Sequence, residues 1–357
     1  MQMVQNHKLT NKKISGILSV VPKHMVRFID EIDNYGFSKE KCIDLQRTIG
    51  FNERRIVKDD ECGSDLCLFG LEYLIDRNLL NKKDIGAIVY VTQTPDHFMP
   101  PTSCILHGKL QCPRDVLCFD INHGCAGYLY GLVQAFLLLT IIDKKVILLN
   151  ADTLSRRSCS YDRNIYPIIG DAASVTIVEN SNLGNDIYFN MQTDGTRSDW
   201  LIIPAGGFRM PSTDKTREVK VLADGNRRSD DDFYMNGAGI FMFTQTDVPV
   251  SVNELFQFAG KEIADIDYFM FHQPNRFMLQ KLAKKLKVPE DKMPNNIVEK
   301  YGNSSSVSIP VAICHNIADQ LLTKQLRICM AGFGVGLSWG TLLMDIGPLA
   351  FCSLIEK

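Results

Sequence analysis

Cys125, His272 and Asn303 are the side chains whose types could do covalent chemistry together. Cys125 lies in the turn NHGCAG (122–127), between a β-rich run, VLCFDI (116–121), and a long apolar segment, Tyr128–Ile142. The apolar residues of that segment keep to no single stripe, so as a helix it is expected to be buried on nearly all sides. The thiol would then stand at a helix N-terminus, where unpaired N–H groups and the helix dipole favour a thiolate. Gly124 and Gly127 let the backbone approach a bound group closely. His272 ends the buried-strand pattern DYFMFHQ (267–273). A histidine at the carboxyl end of a strand stands where α/β proteins build their sites. Asn303 lies in the polar turn YGNSSS (301–306). Taken alone, a turn asparagine serves its own backbone, and a lone His272 is more simply structural. In the order Cys, His, Asn, the three allow a papain-like protease, with His taking the thiol proton and Asn orienting the His. The signature of that family, C-G-[SA]-C-[WY], is absent, and alternating strands and helices do not suit it.

The elements that must position these residues follow from the rest of the chain. It has 357 residues, 45% hydrophobic and 22% charged, enough for one large domain or two smaller ones. A net charge of −2 argues against general nucleic-acid binding. The polar start MQMVQNHKLTNKK has no apolar signal core, and Tyr128–Ile142 is too short to span a membrane. Eleven cysteines without a CxxC pair, or a His/Cys cluster of zinc-like spacing, read as free thiols in a reducing compartment. A cytoplasmic protein without a metal site is expected.

Strands are expected at Lys13–Val21, 85–94, 116–121, Lys145–Asn150, 170–179, Asp186–Gln192 and 267–273, with two more in 326–347 joined at a glycine-rich bend. Helices are expected at Ser64–Asn78, about Thr102–Leu110, after Cys125, within 240–260, over 276–288 and after the turn at 301. PDHFMPPTSC (95–104), with three prolines, should be a rigid loop. Arg47, Arg54 and Arg55 cluster around Gly50 and read as local ion pairs on a solvated loop. Pro211–Asp232 is rich in charge and reads as a long surface loop. Alternation of strand and helix implies α/β architecture. A polar turn opening a central helix in each half, NHGCAG against YGNSSS, implies a duplicated unit, divided as 1–180 and 181–357.

Seven stretches in order give the chain a resemblance over nearly its whole length: GFNERRIV (50–57), VTQTPDHFMPPTSC (91–104), DINHGCAG (120–127), GDAASV (170–175), FHQPN (271–275), YGNSSSVSIP (301–310) and GFGVGLSWG (332–340). The sequence resembles β-ketoacyl-acyl-carrier-protein synthase III, a condensing enzyme of the thiolase superfamily. The resemblance implies the thiolase fold, a duplicated five-layer α-β-α-β-α arrangement, in a homodimer. It implies that Cys125 takes an acyl group from a thioester. Malonyl-acyl carrier protein would then lose CO₂, and its enolate would attack the acyl-cysteine to give a 3-oxoacyl product. His272 and Asn303 match the residues that donate hydrogen bonds to the malonyl thioester oxygen. The acyl oxyanion would be held by the N–H groups of Cys125 and of Val335, between Gly334 and Gly336. Phe333 matches a phenylalanine beside the cysteine that excludes water. No bound cofactor is implied; the substrates ride on the phosphopantetheine of acyl carrier protein or coenzyme A. No partner nucleic acid or membrane is implied.

The chain also departs from the family pattern. Asp44 stands for the tryptophan of the coenzyme A adenine site, and Thr48 and Ile49 stand for an Arg-Thr pair, which favours an acyl group delivered on a carrier protein, or an unusual donor, over a coenzyme A primer. Asn122 and His123 replace small residues. Met99 stands where an aromatic residue reaches into the partner subunit's acyl pocket, and a flexible methionine there suits a longer or different acyl chain. Arg276, Lys281, Lys284 and Lys285, on the helix after His272, match the face on which acidic carrier proteins dock. The alternative of the same fold is acyl transfer to a hydroxyl or amine without decarboxylation.

Overall fold

The computed structural model describes residues 4–182 and 184–357. Residues 1–3, the first of the polar start, and residue 183 lie outside the described residues. Two sheets make the frame. The strands that build them are β1 (Asn6–Thr10), β2 (Lys12–Val21), β3 (Ile85–Val91), β4 (Leu117–Ile121), β5 (Lys145–Asp152), β6 (Ala172–Asn180), β7 (Asp186–Thr193), β8 (Tyr268–Phe271), β9 (Leu326–Gly334), β10 (Ser338–Ile346) and β11 (Phe351–Glu356). The first sheet runs β11-β2-β6-β5-β3-β4 and the second β1-β7-β10-β9-β8. Strand β3 lies parallel to β4 on one side and to β5 on the other, and β8 is parallel to β9. Strands from the chain's two ends cross between sheets: β1 pairs with β7, and β11 with β2.

The layers are completed by α1 (Lys39–Ile49), α2 (Gly63–Asp76), α3 (Thr102–Leu110), α4 (Gly127–Leu138), α5 (Gly237–Ala259), α6 (Arg276–Leu286) and α7 (Ser308–Asn316). Helices α2 and α3 cover the outer face of the first sheet, and α5 with α6 cover the second. Helices α4 and α7 lie between the sheets in one core with residues of both. That is the five-layer α-β-α-β-α order of the thiolase fold. Tyr128, Leu132, Ala135 and Phe136 of α4 are fully buried, as expected of a helix with no polar stripe. Each such leucine or phenylalanine contributes about 1.5–3 kcal/mol of burial free energy.

The expected strands and helices fall within a few residues of their observed bounds. Strands β1 and β11 and helix α1 add to them. The segment 211–232 stays at the surface but has structure of its own. It forms a helical turn, Asp214–Arg217, and a ribbon pairing Lys220–Val221 with Arg227–Arg228. It is held to the body by Asn226, which is buried and donates to Asp162 Oδ1 at 2.8 Å. The solvated-loop reading of the arginine cluster fails for Arg54. That side chain is buried, donates to both Glu31 oxygens at 2.8 Å and to the Tyr166 carbonyl at 2.6 Å. Packing of the 28–51 segment over it removes the water that local sequence implied. Among the described residues, no helix is long and apolar enough to cross a membrane, and no group of three His, Cys, Asp or Glu could hold a metal ion.

Candidate active site

One cavity of about 610 Å³ brings together Cys125, His272, Asn303, Phe333, Gly334 and Val335. Each comes from the end of an element. Strand β4 feeds the turn that carries Cys125, two residues before α4 begins. The turn is tight: a Cβ at Gly124 would collide with Gln93 Oε1, so any larger residue would push the Gln93 side chain aside. Strand β8 ends at Phe271, and the His272 N–H still donates to the Ala331 carbonyl of β9 at 2.8 Å. The Asn303 N–H donates to the Ile168 carbonyl at 2.6 Å, and its own carbonyl accepts from the Gly170 N–H at 3.1 Å. Strand β9 ends at Gly334, directly over the thiol: a Cβ there would lie 2.7 Å from Cys125 Sγ.

The donors converge as the chemistry of acyl transfer needs. The N–H groups of Val335 and of Cys125 both act on the thiol sulfur. Asn303 Oδ1 accepts from the Ser305 N–H at 3.0 Å, which fixes the amide and leaves Nδ2 as the donating end. His272 is buried and its Nδ1 lies 2.7 Å from the Ser308 hydroxyl. That hydroxyl also accepts from the Gln273 N–H at 3.2 Å and can donate to the Ser305 carbonyl at 2.8 Å. When it turns its proton onto Nδ1, His272 carries its proton on Nε2 and becomes a donor. Phe333 packs edge-on against the His272 ring, 5.5 Å between centroids.

Burial pushes the His272 pKa down to about 3, only partly opposed by the Ser305 carbonyl, so the ring is neutral. Burial also pushes the Cys125 thiol up to about 11, more than the Val335 amide, the Ser305 hydroxyl and its own N–H pull it down. This corrects the expectation of a favoured thiolate. The helix start is present, but enclosure of the sulfur beneath Gly334 costs the charged form more than the neighbouring donors return.

The remaining expected residues lie elsewhere. Met99 is 79% exposed, on a loop outside this cavity. Lys281, Lys284 and Lys285 lie along α6, Lys281, Lys284 and Lys285 being exposed, whereas Arg276 is half-buried and paired with Glu299. Asp44 is exposed and faces Arg47. The cavity mouth is instead lined by Phe37, Lys41 and Arg163. Both cations stack on the Phe37 ring, at 3.7 and 4.5 Å from its centroid. His123 does not face Cys125; it stacks on Tyr130 at 3.9 Å. Sequence reasoning does not single out Phe37 or the serines 305 and 308.

Two family models match the chain: 3-Oxoacyl-[acyl-carrier-protein (ACP)] synthase III over residues 119–195, and 3-Oxoacyl-[acyl-carrier-protein (ACP)] synthase III C terminal over residues 256–346. A β-ketoacyl-[acyl-carrier-protein] synthase III of Clostridium perfringens is 31% identical over 95% of this chain and 100% of its own. The chain belongs to the 3-oxoacyl-[acyl-carrier-protein] synthase III family. Another synthase III, from Syntrophomonas wolfei, is 33% identical over 85% of this chain and 88% of its own. The crystal structure of 3-oxoacyl-(acyl-carrier protein) synthase from Burkholderia xenovorans LB400 superposes with a TM-score of 0.91 at 33% identity, covering 99% of both chains. Membership makes the protein a condensing enzyme of the transferase class, a synthase III of fatty acid biosynthesis. The comparisons favour condensation over transfer to a hydroxyl or amine.

Proposed function

We propose that the enzyme condenses an acyl thioester with malonyl-acyl carrier protein through an acyl-cysteine on Cys125. The observation that carries this reading is the cavity in which the Cys125 thiol, the N–H groups of Cys125 and Val335, a neutral imidazole and the Asn303 amide converge. Sγ attacks the acyl carbonyl and the carrier's sulfur leaves. The oxyanion formed on the way is held by the N–H groups of Cys125 and Val335. Malonyl then binds with its thioester oxygen against Nε2 of His272 and Nδ2 of Asn303. The C–CO₂ bond breaks and its electron pair becomes the enolate that these donors stabilise. The enolate carbon attacks the acyl-cysteine carbonyl, the C–S bond breaks, and a 3-oxoacyl thioester is released. A neutral His272 suits this step, because a proton held on Nε2 is donated to the oxygen but never lost. Phe333 keeps water from the enolate and makes the site hostile to a carboxylate.

Replacing His272 or Asn303 by Ala tests the division of labour. Each change should leave acylation of Cys125 intact and slow malonyl decarboxylation about 10²–10³-fold, the cost of losing one oxyanion donor. Lost acylation with intact decarboxylation would overturn it.

The finer features of the reading rest on the surface. Asp44, Thr48 and Ile49 support a carrier-borne acyl donor over coenzyme A, with no bound cofactor. Lys281, Lys284 and Lys285 supply an exposed cationic face for an acidic carrier. Phe98, Met99 and Phe208 are each more than three-quarters exposed, and the Phe98 and Phe208 rings meet at a tilt, 5.6 Å between centroids. Apolar side chains so placed support a homodimer in which Met99 enters the partner subunit's acyl pocket. Free thiols at all eleven cysteines fit a cytoplasmic enzyme.

A further inference from the structure

The steps above leave one buried carboxyl beside the site without a task. Asp152 ends β5 and is fully buried. Its Oδ1 accepts from the Gln93 N–H at 2.8 Å, the Thr92 hydroxyl at 3.3 Å and the Thr94 hydroxyl at 3.5 Å. Its Oδ2 is buried without a hydrogen-bond partner. Ser305, in the turn between Asn303 and α7, adopts a φ of 53°, the left-handed region that serine enters only where the surroundings enforce it. Its hydroxyl is also buried without a partner, and it lines the cavity with Cys125. The turn that carries it packs against β5. That hydroxyl stands alongside both the Cys125 thiol and the Asp152 carboxyl, and stabilises the anion of each. At rest it completes a hydrogen bond to neither. Rotation of the Ser305 side chain can close a chain from Sγ–H through Oγ–H to Oδ2.

We propose that Asp152 is the proton acceptor for the Cys125 thiol, reached through the Ser305 hydroxyl. The thiol proton passes to Ser305 Oγ as the proton of Ser305 passes to Asp152 Oδ2. The S–H bond breaks with its electron pair left on Sγ, and the carboxylate becomes a carboxylic acid. That transfer keeps one negative charge in the buried group; on acylation the charge leaves with the carrier's thiolate, which takes a proton from solvent. When the acyl–sulfur bond breaks at the end of condensation, the thiolate returns and Asp152 gives the proton back. Ser305 acts through its neighbours and is a positioning residue.

The energetics of the pair agree with this use. Burial pushes the Asp152 carboxyl up to about 7, with the Gln93 amide and the Ser305 and Thr92 hydroxyls pulling against it. A base serves best when its pKa lies near the working pH. The thiol, pushed up to about 11, needs one. The titratable groups facing Asp152 are Cys125 on the turn before α4, Asp171 ahead of β6, and the Tyr90 phenol of β3.

The inference rests on Cys125 being the acylated nucleophile. The experiment follows the rate of Cys125 acylation by an acyl-carrier thioester across pH, by intact mass, in the wild-type enzyme and in Asp152→Asn, Asp152→Glu and Ser305→Ala. The wild-type rate should rise to a bend near the Asp152 pKa and level off. In Asp152→Asn the bend should vanish, with the rate at neutral pH falling about 10²-fold, the lower end for a lost general base. Asp152→Glu should restore the bend. Ser305→Ala should be slowed with its carboxyl intact, and it carries the test alone if Asp152→Asn does not fold. A wild-type rate in Ser305→Ala, or an unchanged bend in Asp152→Asn, overturns the proposal. A wild-type enzyme that no thioester acylates overturns the functional reading instead.

Discussion

The end of β9 presses directly on the nucleophile, and Gly334→Ala perturbs that contact alone. The added Cβ would lie 2.6 Å from Cys125 Cβ and 2.7 Å from Sγ. Favourable non-bonded separations are about 3.5–4.0 Å, so the overlap is about 1 Å. Gly334 is not in the left-handed region, so the backbone accepts alanine and the whole effect is the overlap. Cys125 has little room to retreat, because Ala126 and the first turn of α4 are buried behind it. The overlap should cost about 1–3 kcal/mol of stability as overpacking. The thiol should also move by a fraction of that overlap, away from the Val335 amide. A misplacement of about 1 Å can cost 10²-fold in rate. The assay pairs thermal melting with the rate of acyl-adduct formation by intact mass. The expected result is a folded protein with a lower midpoint, acylation slowed about 100-fold, and malonyl decarboxylation much less affected. Acylation at the wild-type rate would refute the geometry on which the oxyanion assignment rests.

Arg54→Ala breaks an ion pair whose side chains are 3% and 16% exposed and should cost about 3–5 kcal/mol. Arg27→Ala, in a pair more than half exposed, should cost under about 1 kcal/mol, and chemical denaturation distinguishes the two. With its pKa held near 3 by burial, His272 stays neutral as pH falls. Malonyl decarboxylation by Cys125→Ala enzyme should therefore be flat between about pH 5 and 8, and a bend near about 6.5 would contradict a buried neutral ring. Ser308→Ala unfixes that ring and should slow decarboxylation about 10- to 100-fold, the kinetic equivalent of about 1–3 kcal/mol for a buried hydrogen bond, while acylation persists. Charge reversal at Lys284 and Lys285 should raise the apparent KM for carrier-bound substrate; an unchanged KM would remove α6 as the docking face.

Local pattern makes the frame legible wherever it is apolar. The run 85–91 is buried throughout, and the apolar α4 is buried on nearly all sides, with Leu137 exposed near its end. Helix α1 escapes the pattern because it buries only Cys42 and depends for its start on the Ser38 cap. Strands β1 and β11 escape it because their partners lie across the chain, Asn6–Thr10 against β7 and Phe351–Glu356 against β2. At the site, Cys125 announces itself through the glycines that bend its turn. Its thiol affinity does not follow, because desolvation is set by β9 and the 303–308 turn, which no window around residue 125 contains. Ser305 and Asp152 are illegible for the same reason. A serine in YGNSSS looks like turn chemistry and an aspartate after KVILLNA looks like a strand end, until packing leaves their oxygens buried and unpaired together. Phe37 gains its place at the cavity mouth through two cations, one of them distant in sequence.

The central claim is a decarboxylating condensation through Cys125. The most direct measurement is intact-mass spectrometry after incubation with acyl-carrier and acyl-coenzyme A thioesters, followed by malonyl-acyl carrier protein. An acyl adduct that is absent in Cys125→Ala and is discharged as a 3-oxoacyl product with release of CO₂ is the predicted result. An adduct that malonyl-acyl carrier protein leaves untouched, or no adduct with any thioester, would contradict it.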